Sequence, residues 1–169
     1  MVRHFLDADR WTGHGATFAR GQAWDARGVL LRATDLARQF EAIPDAAGWE
    51  LLARSLNGMY AAIRVAGNDV RAVVDRLRSI PLFFASTSDG IAIGDTAWRV
   101  LQSMPSPRRE ALSEAEFRLT GYTTGASTLY EGLSQVPAGH VLASTGGERG
   151  APCPRADRCN RAGTCSATR

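Results

Sequence analysis

The stretch that decides the fold is Leu56–Asp95, which reads LNGMYAAIRVAGNDVRAVVDRLRSIPLFFASTSDGIAIGD. Its apolar and β-branched runs are separated by two short turn sequences, Gly67-Asn68 and Ser88-Asp89-Gly90, a pattern typical of consecutive hairpins. It therefore predicts four consecutive antiparallel strands. Their predicted bounds are Met59–Ala66, Val70–Val74, Leu82–Ser86 and Ile91–Gly94.

Two segments ahead of this stretch carry apolar residues at helical spacing. The first, Thr34–Ile43, has Thr34 in position to cap its start, and Pro44 in position to stop it. The second, Ala46–Leu56, is followed by Asn57-Gly58. Because both of those residues tolerate left-handed geometry, they are predicted to form its C-terminal cap.

Outside this region the patterns predict shorter elements. Ser113 and Glu116 stand in capping-box spacing and predict a helix start at Ser113. The full set comprises a strand at Ala16–Ala23, helices at Thr96–Gln102 and Ser113–Leu119, and final segments at Thr128–Leu133 and His140–Ala143. Helices and antiparallel strands are segregated along the chain, which indicates an α+β fold rather than alternating βαβ units.

Composition and charge exclude several classes of protein. The chain has 169 residues, and all 20 of its basic side chains are arginine, which excludes a P-loop or a Schiff-base lysine. Residues 1–143 are electrically balanced, and the net charge of +3 belongs to residues 144–169. A body without a basic excess argues against a nucleic-acid partner. No run is long enough for a membrane span and no secretory signal is visible, so a cytoplasmic location is predicted.

The chain divides into two parts of different character. Residues 1–143 have the composition of a folded domain, whereas residues 144–169 are rich in Arg and Gly, with no aromatic residue and no aliphatic residue larger than alanine. Such a tail is predicted to be disordered. Its cysteines, Cys153, Cys159 and Cys165, lack the spacing of a zinc site, so no metal is expected. The abrupt change suggests a frameshifted or truncated end.

Leu56–Asp95 resembles the N-terminal glutamine amidotransferase type 2 domain of the asparagine synthase family. A second segment, Phe117–Leu142, resembles a later part of that domain through Thr128-Leu129 and the turn from Pro137 to Gly139. The residues that carry the first match are Leu56, Gly58, Met59, Tyr60, Asp75, Arg76, Pro81, Leu82 and Phe83, with Ser79 in place of a usual glycine. The resemblance implies an N-terminal-nucleophile (Ntn) hydrolase-like fold of stacked antiparallel sheets flanked by helices.

The resemblance also implies where a catalyst belongs. Active members attack glutamine with a cysteine that becomes the first residue after Met removal, whereas here Val2 follows Met1 and no cysteine precedes Cys153. The Arg-Gly-Pro-Asp stretch that holds glutamine is absent. The acidic pair falls in a region that this chain shortens around Asp45. Gly21, in Arg20-Gly21, is the possible remnant of the oxyanion hole. No catalytic residue and no cofactor are therefore expected.

The expected function is that of a degenerate amidotransferase domain, unable to hydrolyse glutamine by itself. It would support ATP-dependent amidation by a synthetase half that this chain lacks, since Ser144–Glu148 is only a chance echo of the ATP loop. The expected partner is a synthetase-type protein or a second copy of the chain. One alternative is a non-enzymatic docking module with an Ntn-like fold. Another is an Ntn-like hydrolase with Thr12 or Thr17 freed by cleavage.

Overall fold

Two β-sheets form the centre of the fold. The structure is a computed structural model and describes residues 1–88 and 90–144. The strands are β1 Val2–Phe5, β2 Thr12–His14, β3 Thr17–Trp24, β4 Leu30–Arg32, β5 Asn57–Ala66, β6 Asp69–Val74, β7 Phe83–Thr87, β8 Gly90–Gly94, β9 Leu133–Gln135 and β10 Val141–Ser144. The helices are α1 Ala33–Glu41, α2 Ala46–Ser55, α3 Ala97–Leu101 and α4 Ala111–Thr120.

The two sheets differ in strand direction. The larger sheet has the order β10-β6-β5-β3-β2, with β4 also paired to β3, and is antiparallel throughout. The smaller sheet has the order β1-β8-β7-β9, and its strand β1 runs parallel to β8, with Val2 opposite Ile91. The predicted α+β class is confirmed, while the expectation of purely antiparallel sheets is wrong at β1.

Three apolar clusters show how the layers pack. The first joins α1 and α2 to one face of the larger sheet and includes Leu36, Phe40 and Trp49. The second lies between the two sheets, and the third joins α3 to the smaller sheet. The central strand β5 contributes to the first two clusters, since Tyr60 belongs to the first and Ile63 to the second. The layers therefore follow the order helix, sheet, sheet, helix.

The hairpins and the first two helices lie where the sequence predicts them, but their ends differ. The N-cap of α1 is Arg32 rather than Thr34, and the Arg32 N–H donates to Asp35 over 3.2 Å. Asn57-Gly58 does not cap α2, because Asn57 already opens β5 opposite Trp24. Pairing with β3 requires extended backbone at these two residues, and this requirement overrides their tolerance of left-handed geometry.

Later elements show further differences. Helix α4 begins before Ser113, because the Glu110 carboxylate accepts the N–H groups of Leu112 and Ser113 and forms the cap. The predicted segment Thr128–Leu133 is mostly loop, with β9 starting only at its last residue. Ser144, predicted as the first tail residue, ends β10 opposite Val70. The rest of the tail, with its three cysteines, lies outside the described residues. Within the described part of the chain, no helix is long and apolar enough to cross a membrane.

Candidate functional site

The buried carboxylate of Asp75 organises the turn that follows β6. Asp75 is 2% exposed. Its oxygens accept the N–H groups of Tyr60 at 3.3 Å, Leu77 at 2.8 Å and Ser79 at 2.9 Å, and the Ser79 hydroxyl at 3.2 Å. The residue with positive φ in this turn is Arg78, at 52°. Ser79 therefore takes part in the turn through its own side chain, which no glycine at that position could do.

Arg76 ties the same turn to a helix. Its guanidinium donates to the Arg54 carbonyl, in the last turn of α2, over 2.7 Å. Beside it, the Tyr60 hydroxyl donates to the Ala53 carbonyl at 3.2 Å. Burial, and then the charge of Asp75, raise the pKa of Tyr60 to about 12. Tyr60 thus stays protonated at neutral pH, and the group around Asp75 and Arg76 is a structural junction rather than an acid–base site.

Gly58, Pro81 and Leu82 have packing roles. A Cβ on Gly58 would lie 2.4 Å from the Gln22 carbonyl oxygen, so glycine allows β3 and β5 to approach. Pro81 lies between the Asp75 turn and β7. Leu82 is fully buried between the sheets, and its carbonyl accepts the Val136 N–H at 2.8 Å. These three residues position the sheets around the Asp75 turn.

Gly21, the predicted oxyanion remnant, lies within β3 opposite Tyr60. Its φ is +90°, and a Cβ there would lie 2.1 Å from the Met59 carbonyl oxygen and 3.0 Å from Ile80 Cδ1. Only glycine fits this position. Since Tyr60 bonds to Asp75 in turn, the structure brings Gly21, Tyr60 and Asp75 together across the neighbouring strands β3, β5 and β6.

A second buried carboxylate, that of Asp95, lies directly after β8. Its side chain is 4% exposed. It accepts the Trp11 indole N–H at 2.8 Å and the Asp7 N–H at 3.4 Å, and Arg20 Nη1 lies 3.9 Å away. The next residue, Thr96, is the N-cap of α3. Asp95 joins the end of β8 to the loop after β1 and to β3, a convergence of distant residues that no local pattern reveals.

Beside Asp95 is a cleft of about 530 Å³. Its wall is formed by β1 and the following loop, by β3 and by α3. The lining residues are His4, Phe5, Leu6, Ala8, Trp11, Phe18, Arg99 and Gln102. His4 lies over Phe18, with 5.5 Å between the ring centroids. None of these side chains is a thiol or a hydroxyl, so the cleft can hold a small molecule but offers neither of these nucleophiles.

A third polar cluster lies at the other end of β3. The Glu41 carboxylate accepts the Thr17 hydroxyl at 2.5 Å and Arg64 Nε at 3.3 Å. Burial alone would raise the pKa of Glu41. The hydrogen bond from Thr17 and the charge of Arg64 outweigh this effect and hold that pKa below its usual value. The described residues contain no group of three or more histidine, cysteine or carboxylate side chains that could hold a metal ion.

No model of a protein family matches the chain, and no curated protein matches it significantly.

Proposed function

We propose that this chain is an asparagine-synthase-type amidotransferase domain, Ntn-hydrolase-like in fold, that no longer hydrolyses glutamine and supports ATP-dependent amidation by a separate synthetase chain. The layer order of helix, sheet, sheet and helix supports this proposal. So does the Asp75 turn, in which two residues of the sequence resemblance, Tyr60 and Asp75, are joined by a hydrogen bond of 3.3 Å. The proposal includes a cytoplasmic location, where a synthetase would find ATP.

One observation carries the degenerate part of the proposal. The resemblance assigns a cysteine nucleophile to the residue that follows Met1, but that residue here is Val2, which opens β1. Its side chain packs against the apolar cluster between the sheets. The neighbouring cleft supplies no thiol or hydroxyl in its place. Nothing in this region can attack a glutamine amide by the route of active members.

The guanidinium of Arg20 fits the same proposal. Where active members have an Asn-Gly pair for the oxyanion, this chain has Arg20-Gly21. The Arg20 side chain is directed to the buried Asp95 carboxylate, 3.9 Å away, beside the Trp11 indole. A group engaged in this way stabilises the packing of β3 against the loop after β1, rather than a developing negative charge.

The test is ammonia release from glutamine by the purified full chain at high enzyme concentration. We expect no release above a control without enzyme. Clear release would overturn the proposal if intact-mass measurement shows a single unprocessed species. If the mass instead shows cleavage before Thr12 or Thr17, release is explained by the processed-hydrolase alternative.

The synthetase partner is tested separately. An adjacent gene that codes for a Ser-Gly-Gly-x-Asp-Ser ATP loop, and whose product copurifies with this chain, supports the amidation proposal. Unrelated neighbouring genes favour the second candidate function, a non-enzymatic docking module. That candidate is favoured by one observation, the exposure of large apolar side chains along α4, including Leu112 and Leu119.

A further inference from the structure

The cleft beside Asp95 is apolar on its floor and polar at its mouth. Trp11 is buried, and Leu6 and Phe18 are half-buried. The polar side chains of the lining are all exposed: His4, Arg99 and Gln102. The volume of about 530 Å³ lies in the range of pockets that hold a small organic molecule. The cleft is therefore suited to a ligand with an apolar body and one polar end.

The aromatic side chains of the floor are held in place by the fold. The Trp11 indole N–H donates to the buried Asp95 carboxylate at 2.8 Å, which fixes the orientation of the ring. Phe18 packs against the apolar cluster between the sheets, and the His4 ring lies over it with 33° between the two planes. Aromatic rings pack favourably on one another through offset and edge-to-face contacts. The apolar body that this floor fits best is therefore a flat ring.

The charge of the lining determines the other end of the ligand. Among the described residues that line the cleft, Arg99 carries a full positive charge and none is acidic. Within the described part of the chain, no carboxylate forms an ion pair with Arg99. A guanidinium binds carboxylates through charge-assisted, often paired hydrogen bonds. The polar end that the mouth favours is therefore a carboxylate.

Helix α3 holds the polar side chains at the mouth. Val100 and Leu101 are buried against the smaller sheet and anchor this short helix. Gln102, the C-cap, follows Arg99 by three residues and keeps helical geometry, so the two lie on the same side of α3. The Gln102 amide group is a hydrogen-bond donor. It can therefore add a neutral hydrogen bond to a carboxylate that Arg99 holds.

The cleft is separate from the position where the family resemblance places a nucleophile. Its lining includes the last residues of β1, His4 and Phe5, and the loop that follows. Val2, at the other end of that strand, packs between the two sheets and does not line the cleft. The cleft is thus a second place at which this chain can bind a ligand, and binding there needs no nucleophile.

We propose that this cleft binds a small aromatic monocarboxylate, with its ring against Trp11 and Phe18 and its carboxylate on Arg99. Binding involves no covalent step. This inference goes beyond the proposed function and is independent of it, since an assay of ammonia release does not report on ligand binding and a binding measurement does not depend on catalysis.

The first test is an NMR titration of the isotopically labelled full chain with benzoate, phenylacetate and indole-3-acetate. We expect saturable shifts with at least one of them, including the indole N–H signal of Trp11, which Trp11→Phe identifies. The matched probe is the alcohol in which CH2OH replaces the carboxylate of that ligand. It should bind roughly tenfold more weakly or less, because it cannot form a charge-assisted hydrogen bond.

The second test removes the charge from the mouth. Arg99→Gln keeps a polar side chain but should raise the dissociation constant of the carboxylate roughly tenfold or more. The matched control is Arg54→Gln, at an arginine whose side chain is 75% exposed on α2, on the far face of the larger sheet. It should change binding by less than about twofold, because salt screens a distant surface charge.

Four results would overturn the proposal. The first is the absence of saturable shifts with all three carboxylates, and the second is equal binding of the acid and its matched alcohol. The third is equal weakening by Arg99→Gln and Arg54→Gln, which would reduce the effect to overall charge. The fourth is displacement of the bound carboxylate by L-glutamine at a similar concentration, which would make the cleft a remnant glutamine site. Far-UV circular dichroism of each variant shows that the fold is retained.

Discussion

Helices α1 and α4 are nearly equal in length, with nine and ten residues, yet they treat their apolar side chains in opposite ways. Helix α1 buries Leu36, Ala37 and Phe40 completely against the larger sheet. Helix α4 buries only a serine and leaves two leucines in solvent. Local signals establish a helix in both places, whereas tertiary packing decides which side of the helix is covered and which stays exposed.

The strongest test of this contrast is the same substitution in both helices. Leu36→Ala removes a fully buried side chain, so it should lower the free energy of unfolding by about 2–5 kcal/mol. Leu119→Ala changes a side chain that is 86% exposed, so it should shift that free energy by less than about 0.5 kcal/mol at concentrations where the chain is monomeric. Urea unfolding followed by circular dichroism measures both. Equal losses would mean that the Leu119 side chain is covered within the monomer.

Two glycines with positive φ extend the comparison to the backbone. Gly21 has φ +90° and no room for a Cβ, because the Met59 carbonyl oxygen lies only 2.1 Å from that position. Gly121, at the end of α4, has φ +82° and open space around it. Gly21→Ala should therefore cost roughly 3 kcal/mol or more, since left-handed strain and a backbone clash add, and Gly121→Ala about 1–2 kcal/mol from strain alone. Thermal unfolding under identical conditions measures the difference, and a cost at Gly121 that matches Gly21 would contradict it.

The helices and hairpins were predictable from the sequence because their signals are local. Helical spacing in Thr34–Ile43 and turn residues between apolar runs each lie within a short window. Strand β1 was not predictable in this way. It pairs with β8, at the far end of the Leu56–Asp95 stretch, and its four residues show no clear alternation. Only the assembled sheet reveals its place.

The same distinction explains the candidate site. Asp75 was identified from the sequence only through the family resemblance, although its partners Leu77 and Ser79 do follow within a few residues. The contacts of Asp95 could not be predicted from any short window of sequence, since Trp11, Asp7 and Arg20 come from the start of the chain. At Ser113 a correct helix was given a wrong start, because Glu110, three residues earlier, is the actual cap. A motif match alone does not show which acceptor is closest.

Asp75 offers a smaller test of the packed region. Asp75→Ala leaves the N–H groups of Leu77 and Ser79 without their acceptor in a partly buried turn. The expected loss of unfolding free energy is about 1–3 kcal/mol. Asp75→Asn keeps one acceptor oxygen and should cost less. Ser79→Ala removes a single hydrogen bond at 3.2 Å and should cost least. The reverse order in urea unfolding would contradict the assigned role of the carboxylate.

The smallest expected effect concerns the loss of stability at low pH, and it contrasts Glu41 with a carboxylate on α4. Because the pKa of Glu41 is lowered in the folded chain, its ionised form contributes stability above the unfolded value of 4.5. That contribution disappears as the pH falls from 4.5 through the lower folded pKa. Glu41→Gln should therefore make the fall in stability below pH 4.5 less steep. Unfolding midpoints in urea across this pH range give the slope.

Glu116 on α4 is the matched control. Its pKa is lowered as well, chiefly by the hydrogen bond from the Thr124 side chain. Its partner Thr124 is exposed, so water and salt screen the interaction, whereas the Glu41 carboxylate is only 24% exposed beside an equally covered Arg64. Glu116→Gln should thus leave the dependence of stability on pH below 4.5 close to that of the wild type. If it flattens the slope as much as Glu41→Gln, then the loop contact of α4 is as strongly coupled to global unfolding as the core, and the contrast between the two regions fails.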